Sequence, residues 1–129
     1  MTERAYGIDH VQFSVPRGGE PKAREFYGEL LGLAEIPAPP NVAARGAVWF
    51  LCGSMQIHLG VEDDFRPARK AHPAFLIRDL KKVLEALANA GYETKLDPEP
   101  NPSYARAFTS DPFGNRVELM QPHERSAQP

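Results

Sequence analysis

The sequence has a single cysteine, Cys52, and no long hydrophobic run, and each scarcity excludes a class of protein. One cysteine cannot form an internal disulfide, so the fold depends on its core, and we expect a reducing, cytoplasmic location. The longest apolar run, 47–52, has six residues, whereas a membrane-spanning helix needs about 20. The formal net charge is −2, which disfavours nonspecific nucleic-acid binding. We therefore expect neither a membrane nor nucleic acid as a partner.

The composition is that of an ordinary globular domain. Hydrophobic residues make up 42% of the 129 residues and charged residues 25%, which argues against intrinsic disorder. A chain of this length has room for one domain of common size. The 13 prolines predict many turns between short elements.

The same order of predicted elements, a strand, a helix and three strands, occurs twice. The first module covers about residues 7–62, with strands at 8–15, 34–37, 46–51 and 54–61 and a helix at 21–33. The second covers about 71–122, with strands at 72–77, 92–96, 104–109 and 115–121 and a helix at 80–90 after the N-cap Asp79. A charged linker, 62–70, separates the modules, and 123–129 form a tail. The single domain 1–129 is therefore predicted to consist of two modules.

Three of the four histidines and one glutamate lie at matching positions of this repeat. His10 and His72 are 62 residues apart, and His58 and Glu118 are 60 apart. Each lies on the less hydrophobic face of its predicted strand, so pairing of the modules about a pseudo-twofold axis would bring them together. Imidazoles with one carboxylate suit a divalent transition metal such as Zn, Ni, Fe, Co or Mn. The alternative is an ordinary hydrogen bond or salt bridge for each.

Five further side chains are candidates for the walls of a substrate pocket: Trp49, Phe50, Tyr104, Arg106 and Phe108. Tyr104 and Arg106 share one face of a predicted strand. The alternatives are a core position for Trp49 and surface pairing with carboxylates for Tyr104 and Arg106. Cys52 is expected to be an inert thiol, because no Cys–His spacing supports a nucleophile.

Three segments resemble the vicinal oxygen chelate superfamily, the group of glyoxalases, bleomycin-resistance proteins and extradiol dioxygenases. They are IDHVQFSV at 8–15, AREFYGELLGL at 23–33 and DPFGNRVEL at 111–119. The resemblance covers about residues 7–122. It implies an α+β, glyoxalase-like fold in which two tandem βαβββ modules form a curved mixed-sheet cleft. It also implies metal ligands at the first and last strands of each module, at His10, His58, His72 and Glu118.

The resemblance further implies a homodimer with two shared sites. One site would take His10 and His58 from one chain and His72 and Glu118 from the other. The bound metal would chelate neighbouring oxygens of a small-molecule substrate, and Glu118 would move a proton, as in a glyoxalase-type isomerase or lyase. Glyoxalase I enzymes usually have a carboxylate at the position of His58.

Two other functions fit the same residues. An extradiol-type dioxygenase or a thiol transferase would use two histidines and one glutamate as ligands, with His58 beside the metal. A small-molecule (antibiotic) binding resistance protein would have no catalysis and would bind its ligand between aromatic walls. Binding that survives loss of the metal ligands would distinguish this last function.

Overall fold

The computed structural model describes residues 2–99 and 101–123, which form two compact units that meet in the chain at Arg66 and Pro67. Each unit contains one four-stranded mixed sheet and few helical residues. The predicted α+β class and the two tandem modules are therefore confirmed. Within the described residues, no helix is long and apolar enough to cross a membrane.

The sheet of the first unit has the strand order β1-β4-β3-β2, with β1 parallel to β4 and the other neighbours antiparallel. Its strands are β1 (His10–Val15), β2 (Ala34–Ile36), β3 (Val48–Cys52) and β4 (Met55–Val61). Its helices are α1 (Glu20–Ala23), which continues as a π-helical segment (Arg24–Leu30), and α2 (Pro40–Ala43). The sequence analysis did not predict α2. It placed Cys52 in a turn, whereas Cys52 ends β3 and Gly53 takes the positive φ of the turn.

The helix predicted over 21–33 is mostly π-helical. The Leu31 amide donates to the carbonyl of Phe26, five residues earlier, at 2.9 Å, which widens the turn. The adjacent Phe26 and Tyr27 are both fully buried, as the wider turn permits. The helical segment ends before Gly32, which has a φ of +78° that other residues rarely adopt.

The second unit repeats this arrangement with the strand order β5-β8-β7-β6. Its elements are β5 (Ala74–Leu76), α3 (Leu80–Asn89), β6 (Thr94–Leu96), β7 (Tyr104–Ser110) and β8 (Arg116–Pro122). Asp79 caps α3 as predicted, since its side chain accepts from the Lys82 amide. The strand predicted over 72–77 is shorter, so His72 precedes β5 instead of lying in it.

One face of each sheet packs against the helix of its own unit. In the first unit this face carries buried Phe50, Ile57 and Leu59, and in the second unit it carries Phe75, Val117 and Leu119. Because side chains alternate along a strand, the candidate ligands His10, His58 and Glu118 fall on the opposite face. We call this opposite face of each sheet its polar face.

The strand register relates the two candidate pairs. In the first unit His10 lies opposite Gln56, and His58 comes two residues after Gln56 in β4. In the second unit Glu118 lies opposite Ala74, and His72 comes two residues before Ala74. The same two-residue stagger therefore separates the members of each pair. This equivalence supports the internal repeat that the residue spacing predicts.

Candidate metal centre

His72 and Glu118 form a hydrogen-bonded pair on the polar face of the second unit. The His72 Nε2 atom lies 2.9 Å from Glu118 Oε1, and His72 Nδ1 lies 2.8 Å from the backbone carbonyl oxygen of Lys70. Glu118 is 6% exposed although it carries a carboxylate. A buried carboxylate needs a charged or hydrogen-bonding partner, and these contacts supply it.

The Lys70 carbonyl determines which His72 nitrogen is available as a ligand. A carbonyl oxygen only accepts, so Nδ1 must carry a proton and donate it. Nε2 then faces a carboxylate oxygen, and a proton or a cation must lie between them. A backbone carbonyl behind the imidazole is the usual partner of a metal-binding histidine. The pair therefore has donor atoms of the types that suit a divalent transition metal.

A tight turn after β7 holds the loop that carries Lys70. Asp111 Oδ1 accepts from the amides of Phe113 and Asn115, and Asn115 Nδ2 donates to Asp111 Oδ2. Asn115 Oδ1 in turn accepts from the Ala68 amide at 3.0 Å. The DPFGN motif thus fastens residue 68, two residues before the carbonyl that orients His72.

A cation stands beside the second oxygen of Glu118. The Arg106 guanidinium lies 3.5 Å from Glu118 Oε2, while two of its nitrogens contact Asp97 Oδ2 at 2.9 and 2.5 Å. The pKa of Asp97 is lowered by the Glu99 amide and then by Arg106, so Asp97 remains charged and holds the guanidinium. Arg106 thereby holds a positive charge beside the Glu118 carboxylate.

His10 and His58 meet on the polar face of the first unit, where they stack with Trp49. The His58 ring lies parallel to Trp49 at 3.6 Å between centroids and to His10 at 4.0 Å. His58 is 4% exposed. Its pKa is lowered first by burial and then by His10, with a smaller opposing effect of Asp9. His58 is therefore neutral near pH 7, the form that a metal ligand requires.

The two histidines of this stack differ in their free nitrogen. His10 Nδ1 lies 3.0 Å from Asp9 Oδ2, which leaves Nε2 as its available atom. His58 Nε2 lies 2.8 Å from Gln56 Oε1, an acceptor, so His58 carries its proton there and presents Nδ1. His10 therefore resembles His72, while Gln56 gives His58 the opposite tautomer.

Each unit brings together two of the four predicted ligands. Among residues 2–99 and 101–123, neither unit gathers three or more His, Cys, Asp or Glu side chains into a metal-binding cluster. A transition metal fits the donor chemistry of His72 and Glu118, but two ligands are fewer than the three or four of a typical protein site. Further ligands must come from outside the pair.

The predicted pocket residues divide between the two faces of the sheets. Trp49 lies on the polar face of the first unit, while Tyr104, Arg106 and Phe108 follow one another on the polar face of β7. Phe50 points the other way, is fully buried and has its ring 6.1 Å from that of Tyr27. We therefore assign Phe50 to the core, because alternation in β3 turns it away from Trp49.

The sequence analysis missed Gln56, the Lys70 carbonyl and Asp97 as partners of the site. Strand alternation does place Gln56 beside His58, so the pattern contained that signal. The other two depend on loop conformation and on the pairing of Asp97 with Arg106, which no periodicity encodes.

A family model of the Glyoxalase/Bleomycin resistance protein/Dioxygenase superfamily matches residues 7–119. The chain belongs to this superfamily. The matched range includes all four candidate ligands. A search of curated proteins found no match.

Solved structures of the superfamily share the fold. A protein from Bacillus anthracis described as a glyoxalase family member is 45% identical, with 95% of this chain and 100% of that chain covered and a TM-score of 0.86. The fosfomycin resistance protein FosX from Listeria monocytogenes is 19% identical, with coverage of 92% and 95% and a TM-score of 0.74. Lactoylglutathione lyase from Agrobacterium tumefaciens is 17% identical, with coverage of 91% and 94% and a TM-score of 0.70. The last two similarities concern the fold alone.

Proposed function

We propose that this protein is a metal-dependent enzyme of the glyoxalase type, an isomerase or lyase that binds neighbouring oxygens of a small substrate. The ligands are His10, His58, His72 and Glu118, and the ion is Zn, Ni, Fe, Co or Mn. The observation that carries the proposal is the His72–Glu118 pair, in which the Lys70 carbonyl fixes Nε2 as the ligand atom.

The residues around this pair have separate roles. When bound, a divalent ion supplies Lewis acidity that eases removal of a proton next to the chelated oxygens. Glu118 Oε1 faces His72, while Oε2 faces Arg106. Glu118 would accept a proton from the substrate, with the Arg106 guanidinium as a neighbouring positive charge. Asp97 keeps Arg106 in place through two hydrogen bonds.

The proposal includes a homodimer with shared sites. His10 and His58 of one chain would join His72 and Glu118 of the other. This arrangement is supported by the presence of two candidate ligands in each unit and by their common two-residue stagger. The available atom of His58 is Nδ1, so its entry into the coordination shell requires either that atom or release from Gln56.

Metal content tests the proposal directly. The protein purified without added metal, then titrated with Zn²⁺, Ni²⁺, Fe²⁺, Co²⁺ or Mn²⁺, should bind about one ion per chain. His72→Ala with Glu118→Ala should abolish this binding, whereas the matched pair His123→Ala and Glu85→Ala should leave it intact. Binding of less than about 0.2 equivalents by the wild-type protein, unchanged in the double variant, would contradict the proposal.

The aromatic stack favours a second candidate, a small-molecule binding protein without catalysis. Trp49 and His58 are parallel within 3°, and the Trp49 side chain is half-buried on the polar face. A flat aromatic surface of this kind stacks planar ligands. Under this function His58 is a ring surface and not a metal ligand, as its hydrogen bond to Gln56 also permits.

Ligand binding in the metal-free protein separates the two functions. An antibiotic with a planar ring system, such as the bithiazole of bleomycin, should quench Trp49 fluorescence in both the wild type and the His72→Ala, Glu118→Ala variant if binding alone is the function. If the enzyme proposal holds, binding of substrate-like 1,2-dicarbonyl adducts should require the metal and both ligands.

A further inference from the structure

A wide groove of about 1140 Å³ lies in the second unit, and one of its lining residues, Phe108, contacts His72 and pairs with Glu118. It extends from Phe108 on β7 to the turn at Asp111 and Gly114. A volume of this size accommodates a substrate of ordinary metabolite size. The proposed ligands His72 and Glu118 would contact only the reacting end of a substrate, and the groove has room for the remainder.

The charge that lines this groove is mainly positive. Arg69, Lys95 and Arg116 contribute cations and Glu93 contributes an exposed carboxylate. Within residues 2–99 and 101–123, none of the three cations forms a salt bridge, in contrast to Arg106 with Asp97. The second acidic residue, Asp111, is 4% exposed and accepts hydrogen bonds from amides of its own turn. The groove is therefore a positive surface within a chain of negative net charge.

Arg116 is oriented for recognition of an oxyanion. Its guanidinium carbon lies 4.4 Å from the centroid of the Phe108 ring. Stacking on an aromatic ring leaves the N–H edge of a guanidinium free, and that edge matches a carboxylate or phosphate in two hydrogen bonds. Ser110 lies opposite Arg116 in the sheet and adds a hydroxyl group.

Phe108 links the groove to the candidate metal ligands. Its ring meets the His72 ring edge to face at 5.8 Å, and Phe108 lies directly opposite Glu118 in the sheet. Lys95 is the partner of Phe108 on the other side. Glu118, Phe108 and Lys95 thus form one row across the polar face, with the candidate ligand at one end and a free cation at the other.

The loop that orients His72 also delivers Arg69 to the groove. The Ala68 amide donates to Asn115 Oδ1, and the Ala68 carbonyl accepts from the Arg116 amide at 2.9 Å. Both backbone groups of the preceding residue are therefore fixed, which places Arg69 beside the start of β8. The position of this cation is set by the same turn as the ligand.

We propose that this groove binds an anionic group, a carboxylate or a phosphate, on the part of the substrate remote from the oxygens held by the metal. The inference rests on the proposed function for its reacting end and names the class of substrate, an organic acid or phosphate ester. Arg116 and Lys95 hold the anion, and the Phe108 ring lies between Arg116 and His72.

Binding of simple probes to the full-length, metal-free chain tests the groove by itself. Phenyl phosphate and benzoate serve as anionic probes and benzamide as the neutral one, followed by the amide NMR shifts of Lys95, Ser110 and Arg116. We expect Lys95→Gln with Arg116→Gln to weaken binding of an anionic probe by roughly 5- to 30-fold. The matched control is Lys81→Gln with Arg78→Gln, which removes the same charges from exposed positions near α3 and should leave the affinity unchanged.

The possible results separate the two proposals. Equal binding of benzamide and benzoate, or equal loss in the two double variants, would overturn the groove proposal. Probe binding that persists in the His72→Ala, Glu118→Ala variant while metal binding is absent from the wild type would support the groove and reject the proposed metal enzyme. A preference for phenyl phosphate or for benzoate would decide between a phosphate and a carboxylate substrate.

Discussion

His58 occupies an unusual position for a titratable side chain, between the rings of Trp49 and His10 on a buried part of a strand. Burial deprives the His58 ring of water that would stabilise a positive charge. A positive charge on the neighbouring His10 ring would repel a proton on His58. Both effects oppose the imidazolium, and this lowers the pKa of His58 below its ordinary value of 6.5. The stack with the sole tryptophan makes this titration observable.

We expect Trp49 fluorescence of the metal-free protein to fall on acidification with a midpoint below pH 6.5, because a protonated imidazole in contact quenches the indole. His10→Gln should raise the midpoint, since it removes the positive charge that disfavours protonation of His58. His58→Gln should remove the transition, and His123→Gln serves as the control that retains it. A midpoint at or above 6.5 would show that the stack does not disfavour the charged ring.

The same shift predicts how stability depends on pH. The unfolded chain takes up a proton at His58 before the folded chain does, so the stabilisation is complete above about pH 6.5 and declines as the pH falls towards the lowered pKa of the folded state. Urea unfolding at pH 7.5 and 5.5 should reveal this loss in the wild type and a smaller loss in His58→Gln.

Among the structural elements, the turn at Asp111–Asn115 connects a sequence motif to the candidate site. Asp111 accepts within the turn from the Phe113 and Asn115 amides and from Asn115 Nδ2, while Asn115 Oδ1 accepts from the Ala68 amide outside it. Gly114 has a φ of +93°, and a Cβ there would approach Pro67 within 3.2 Å. The motif therefore determines both the conformation of the turn and the position of the loop at 67–70 that packs against it.

Asn115→Ala should destabilise the second unit by about 2–4 kcal/mol, because it removes the acceptor of the Ala68 amide and the donor to Asp111 Oδ2 in a buried turn. It should also weaken metal binding, since the Lys70 carbonyl loses its support. Urea unfolding and metal titration measure the two effects. Asn89→Ala, at an exposed position near the end of α3, is the matched control and should change the free energy of unfolding by less than about 0.5 kcal/mol. Unaltered metal affinity in Asn115→Ala would mean that His72 is oriented without the turn.

At the scale of the whole molecule, each unit places one pair of candidate ligands at equivalent strand positions. Each unit pairs its first strand parallel to its last, and each pair has the same stagger between its two residues. Two ligands do not hold a transition metal firmly, so the proposed metal would need ligands beyond one pair. The proposed homodimer assigns the two pairs of a site to different chains.

Mixing two inactive variants tests that assignment. One variant carries His10→Ala and His58→Ala, and the other His72→Ala and Glu118→Ala. After random mixing in equal amounts, about half of all dimers contain one chain of each variant. If sites are shared between chains, each of these heterodimers has one intact site of two, so metal content returns to about a quarter of the wild-type value. If every site belongs to one chain, mixing restores nothing. Each variant alone, refolded in the same way, is the control.

Much of the fold could be predicted from the sequence, because period-two alternation and glycine or proline breaks mark the strands directly. The repeat offsets match His10 with His72 and His58 with Glu118, and the strand register places these residues at equivalent positions of the two units. The sequence-based expectations were wrong for residues whose conformation depends on packing against other parts of the fold. Phe50 was a candidate pocket wall but packs on Tyr27, and the regular helix over 21–33 became mostly π-helical around Phe26 and Tyr27.

The sequence by itself determined the α+β class, the two modules and the identity of the candidate ligands, since residue type and alternation are local properties of the chain. Only the tertiary structure decided the chemical state of those ligands. The Lys70 carbonyl selects Nε2 of His72, Gln56 selects Nδ1 of His58, and Arg106 reaches Glu118 from another strand. The availability of a nitrogen or an oxygen depends on which group lies within about 3 Å of it, and this proximity arises only when the loops and strands have packed.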